Sequence, residues 1–160
     1  IFERTAMNTK DSSNQIDMEQ LLQDGNILKL KPQGYSMYPL FIPGRDEALI
    51  QQAALESLRK NDVVLYRRDH SILVLHRICR IAPEGIYMVG DNQSEVEGPL
   101  RPDQIRGKLV GFIRNGKNFS VKNPLYRFLS FLWLTMLPIR PVCFWLTALL
   151  RRLLQHAPFA

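Results

Sequence analysis

The 160-residue chain is 46% hydrophobic and 22% charged, which suits one globular domain with a real core and room for an appendage. Its net charge of +6 favours an anionic partner. From Ser120 onward, however, Lys122, Arg127, Arg140, Arg151 and Arg152 are interleaved with Phe, Leu and Trp and no acidic residue occurs, a composition that suits a membrane surface and argues against nucleic acid.

Residues 1–16 are polar and expected to be flexible; 1–6 precede the first Met, Met7, and stand outside the fold reading. No basic segment followed by an apolar run opens the chain, so no secretory signal is expected. Residues 17–22 read as one or two helical turns, with Asp17 as cap and Gly25 as stop. Strand-like runs follow at 27–30, at 47–50 after a Pro43-Gly44 turn, at 62–66 and at 71–81, with 67–70 as a hairpin loop. Pro83-Glu84-Gly85 turns the chain into 86–89. A further strand at 104–114 contains Gly107 and Gly111, and Asn115-Gly116 turns into 119–121. Short strands and turns without alternating long helices predict a mainly β fold, an antiparallel β domain at 17–122 with a short N-terminal helix.

The remainder, 123–160, is a basic apolar tail. Its stretch 126–139 is broken around Pro138, Arg140 and Pro141 and resumes at 142–150 before Arg151-Arg152. Each apolar piece is shorter than the ~20 residues a helix needs to span a bilayer. Taken as one segment, the tail would place Arg140 near the bilayer centre at a cost of roughly 2.5–3.5 kcal/mol. Two apolar helices are expected instead, lying in the membrane interface or packed on the domain, with a true span as the second choice.

Three places carry chemistry. Ser36, in Gly34-Tyr35-Ser36-Met37-Tyr38-Pro39-Leu40, lies between strands where a bend exposes its hydroxyl; a plain surface turn has the same composition. His76 shares a strand face with Ile72, Val74 and Ile78 by alternation. A histidine there is more often a core residue than a catalyst, yet a general base needs the same dry, fixed setting. Asp91 begins a loop after Val89-Gly90, with Asn92, Glu95 and Glu97 following. This is either a solvated acidic turn or the source of a carboxylate that holds the imidazole in one tautomer. Serine, histidine and acid together meet the minimum logic of an activated serine, whose hydroxyl needs a base. The two cysteines, Cys79 and Cys143, are far apart and in no metal-type spacing; neither a metal nor a cofactor is expected.

Ser36-Met37-Tyr38-Pro39, Asn61-Asp62-Val63-Val64, Val74-Leu75-His76-Arg77-Ile78, Gly90-Asp91-Asn92 and Ile105-Arg106-Gly107-Lys108-Leu109-Val110-Gly111 resemble, in that order, the signature segments of type I signal peptidases. The likeness covers roughly 30–113. His76 stands where the bacterial branch has a lysine, so the chain resembles the endoplasmic-reticulum and archaeal Ser-His branch, to which the self-cleaving repressor peptidases are related. The resemblance implies a β-rich, membrane-associated serine endopeptidase that cleaves exported precursors after small residues. Ser36 would be the acylated nucleophile and His76 the base. The acid of the Ser-His branch falls near Glu97, whereas Asp91 belongs to the Gly-Asp-Asn segment and orders the site instead; both stay open as the third member.

Departures from the family are also visible. Its usual N-terminal anchor is not read here. Gly34 replaces the serine that serves bacterial members as an oxyanion donor, leaving backbone N–H groups such as that of Ser36 for the task. Glu97 is one methylene longer than the usual aspartate. The expected partners are a peptide or protein precursor and, through 123–160, a membrane surface on its cytosolic face. Two other readings are a cytosolic peptide-precursor protease of the same fold and a degenerate, non-enzymatic module that docks on a membrane or partner. A self-cleaving repressor is disfavoured, because only ~30 residues precede the β domain, too few for a helix-turn-helix unit.

Overall fold

The computed structural model describes residue 22, residues 25–68 and residues 72–155, without the side chains of 150–155. The strands are β1 (Leu28–Leu30), β2 (Asp46–Gln51), β3 (Val63–Arg67), β4 (Leu73–Ala82), β5 (Gly85–Val89), β6 (Val96–Leu100), β7 (Ile105–Arg114) and β8 (Lys117–Ser120), followed by helices α1 (Pro124–Thr135) and α2 (Arg140–Gln155). They form one sheet of order β1-β2-β7-β3-β4-β5-β6, with β8 also paired to β7, and every pairing is antiparallel. The fold is the mainly β, antiparallel class with two C-terminal helices that the sequence predicts. The N-terminal segment expected to be flexible, 1–16, and the helix expected at 17–22 lie outside the described residues, apart from the helical Leu22.

Both faces of the central strands are apolar. Val63 and Leu65 of β3, with Leu73 and Leu75 of β4, enter one core beside Met37, Phe41, Ile50 and Phe112. Val64 and Tyr66 of β3, with Val74 and Ile78 of β4, enter a second core beside Leu58, Met88 and Leu100. Successive strand side chains point to opposite faces, so His76 belongs to the second face, as expected from its neighbours Ile72, Val74 and Ile78. The register sets Val64 opposite His76 and Tyr66 opposite Val74. Gly107 has a steric reason: a Cβ there would lie 2.7 Å from Ile50 Cγ2 and 2.8 Å from Gln51 O, where β2 crosses β7 beside a slip in register.

Two expectations need correction. Residues 96–100, read as part of an acidic loop, form β6 against β5, with Met88 opposite Glu97. Gly98 disguises the strand: its φ is +139°, and a Cβ would meet Ile86 O at 2.8 Å. The loop at 67–70 also starts later than expected, because Arg67 still pairs with Leu73; Asp69 and His70 lie outside the described residues.

The tail folds as two helices. Asn123 caps α1 by accepting the N–H groups of Leu125 (2.9 Å) and Tyr126 (3.3 Å), and Pro124 opens the helix where its missing N–H costs nothing. Residues Leu137–Ile139 make a tight 3-10 turn into α2. Of α1 only Ser130 and Leu134 are buried; Phe128, Phe131, Val142 and Trp145 are exposed. No single helix among the described residues is long and apolar enough to cross a membrane. The pair Pro124–Thr135 and Leu137–Leu149, bent by 50°, passes by length and composition only when taken together.

Candidate active site

Ser36 sits in a turn pinned from both sides. Met37 and Phe41 plug the first core, and Tyr38 N–H and Phe41 N–H close the turn onto Tyr35 O (3.1 Å) and Met37 O (2.8 Å). The far end is held by buried Asp46, which accepts from Ile42 N–H, Arg45 and Arg114, while Arg114 also donates to Leu40 O at 2.8 Å. Burial alone would push the Asp46 carboxyl up, but the bonds from Arg45, Arg114 and Ile42 outweigh it and hold the group at about 2.

The same turn reaches the end of β5. Asn92 N–H donates to Ser36 O at 2.7 Å, and a Cβ on Gly90 would stand 2.8 Å from that oxygen. Glycine at 90 therefore lets the Ser36 backbone come close. Because β4 pairs with β5 through Arg77 opposite Val89, Gly90 is one residue beyond the pair and His76 is its counterpart on β4. The ladder thus brings the Ser36 turn alongside His76. No hydrogen bond joins their side chains among the described residues, and the N–H groups of Ser36 and Met37 have no acceptor among them.

His76 is 3% exposed. Its Nδ1 lies 3.1 Å from Tyr66 Oη and 4.0 Å from Glu97 Oε2; no described residue engages Nε2. Tyr66 donates to Glu97 Oε2 at 2.7 Å, and Arg68 grips Glu97 with two bonds of 2.8 Å. Burial is the main reason the imidazole pKa falls to about 4, against the opposing pull of Glu97. The Glu97 carboxyl is itself held below its usual range: burial raises it, but Arg68 and Tyr66 more than compensate. A cleft of about 280 Å³ opens here, lined by Arg68, His76, Gln93, Glu95, Val96 and Glu97.

Asp91 is placed differently. It is fully buried, and both its oxygens are taken by Arg77, at 2.8 and 2.7 Å. Arg77 also donates to Asn61 O at 2.9 Å, and Asn61 reaches Ser130 of α1 at 2.9 Å. Among the described residues Asp91 makes no hydrogen bond to His76. Of the two candidate acids, Glu97 is therefore the one the fold brings to the imidazole, and Asp91 ties the strand ends to the helices.

The helical pair meets the site through a second buried cation. Arg140, 1% exposed, donates to Gly90 O (3.0 Å), Gln93 O (2.9 Å) and Trp133 O (2.8 Å). Trp133 Nε1–H donates to Asp91 O at 2.7 Å. The charge that seemed to interrupt an apolar tail is an internal strut on the loop that holds Ser36. Among the described residues no cluster of His, Cys, Asp and Glu could hold a metal ion, and both cysteines are free.

Sequence reasoning passed over Tyr66, Arg68 and Trp133. Alternation along β3 could have placed Tyr66 on the His76 face, but a loop at 67–70 would set it opposite Ser71 rather than Val74 and hide the contact. No protein-family model matches the chain, and no curated protein matches it.

Proposed function

We propose that this chain is a serine endopeptidase of the signal peptidase I kind, acting on a peptide or protein precursor. One observation carries the reading: the Ser36 turn is bonded to the strand end beside a buried histidine whose Nδ1 side is turned to an acid. Ser36 Oγ attacks the scissile carbonyl as His76 Nε2 takes its proton. Glu97 offsets the charge that appears on the imidazole. The N–H groups of Ser36 and Met37, without an acceptor among the described residues, are the candidate donors for the developing oxyanion. His76 then protonates the leaving amine, and a water activated by the same ring releases the acyl group. Burial keeps the ring neutral at pH 7, the state a base requires.

The exposed apolar residues of α1 and α2 and the acid-free charge of the tail support a place on a membrane surface, beside lipid-bound precursors. The purified chain should cleave a precursor peptide, and Ser36→Ala and His76→Ala should each lower the rate at least ~10³-fold. Full activity in both variants would overturn the reading. The missing Ser36–His76 hydrogen bond favours a second reading, a non-enzymatic module, although catalytic contacts are often loose without substrate. Labelling of Ser36 by a serine-reactive probe excludes that alternative.

A further inference from the structure

We infer that Tyr66 is a positioning residue of this site, standing between His76 and Glu97 and fixing which imidazole nitrogen carries the proton. Its catalytic consequence rests on the peptidase reading above, but the proton assignment rests on geometry alone.

A phenol has one proton to give and lone pairs to accept with. Tyr66 Oη has two neighbours, Glu97 Oε2 at 2.7 Å and His76 Nδ1 at 3.1 Å. Glu97 is bound by both arms of the Arg68 guanidinium at 2.8 Å. A carboxylate held by an arginine fork is ionised and can only accept. The single phenolic proton therefore points to Glu97, the charged and closer acceptor. The phenolic oxygen is left to accept from His76, so Nδ1 bears the hydrogen and Nε2 is bare.

Glu97 is 4.0 Å from Nδ1, beyond a hydrogen bond. The acid thus acts on the imidazole through the tyrosine rather than by touching it. Tyr66 is fully buried on a central strand, so the relay is set by β3, β4 and β6 together. A phenol also spans the gap, so the His–acid spacing needs no direct contact.

The test is the histidine tautomer, read from imidazole ¹⁵N shifts in the full chain labelled with ¹⁵N-histidine and assigned with His76→Gln. At pH 7 the wild type should show the Nδ1–H form. Tyr66→Phe should lose that preference, with kcat falling ~10²-fold or more and KM little changed. Glu97→Ala gives a sharper reading and keeps Tyr66 in place should Tyr66→Phe fold poorly. With its acceptor gone, the phenol should turn its proton to Nδ1, and the ring should switch to the Nε2–H form. An Nε2–H wild type overturns the proposal, as does an Nδ1–H form that persists in Glu97→Ala. Cleavage by Ser36→Ala and His76→Ala would overturn the peptidase reading instead and leave the tautomer result untouched.

Discussion

Replacing His76 by Gln isolates one titration. In the unfolded chain a histidine titrates near 6.5, and in this fold burial lowers His76 to about 4. Above 6.5 both states hold a neutral ring and the histidine adds no pH dependence. As pH falls from 6.5 toward 4, the unfolded chain takes up a proton that the folded chain refuses, so stability drops. Below about 4 both states are protonated and the loss is complete. At ~1.36 kcal/mol per pH unit, that gap corresponds to roughly 3 kcal/mol. Urea denaturation of wild type and His76→Gln between pH 7.5 and 4 measures it, because titrations common to both proteins cancel in the difference. The stability advantage of the wild type should shrink by roughly 3 kcal/mol across that window. A flat difference would refute the account of a histidine kept neutral by burial. The acid limb of kcat/KM should likewise lie near 4 rather than 6.5.

The two acids should separate by assay. Asp91→Asn leaves Arg77 buried without its counter-charge and should cost ~3–5 kcal/mol in urea denaturation. Glu97→Gln touches a half-buried group and should cost only ~1 kcal/mol or less while lowering kcat by ~10²-fold or more. Arg140→Met strands three carbonyls; weighed against the cost of burying a guanidinium, the net loss should be ~2–4 kcal/mol. Arg140→Lys should recover only part of it, since an ammonium lacks the fork that reaches all three; an unchanged urea midpoint in Arg140→Met would refute the strut. Asp46→Asn should speed hydrogen exchange at the Phe41 amide, because Arg45, Arg114 and Ile42 N–H all anchor the Ser36 turn through that carboxylate.

The sequence was most readable where local pattern and tertiary role agree. The runs that became β3, β4 and β7 are apolar, bounded by turn residues and central in the sheet, and the face assigned to His76 follows from alternation alone. Glu97 was harder to place, since Gly98 and Pro99 break the pattern of β6 and only pairing with β5 reveals a strand. Whether Asp91 or Glu97 approaches His76 is decided by Arg77, one residue along β4, whose guanidinium takes both oxygens of Asp91. Composition does not say which carboxylate an arginine will choose. The break at Arg140 was legible as the boundary between two helices, but the role of its guanidinium was not, since the backbone carbonyls that converge on it come from elsewhere in the chain.

That convergence has a practical consequence. The carbonyls of Gly90, Gln93 and Trp133 share one guanidinium, so the tail is wired to the same loop that holds the Ser36 backbone. A chain shortened to remove its greasy end for easier handling would also lose the support beneath the Ser36 turn.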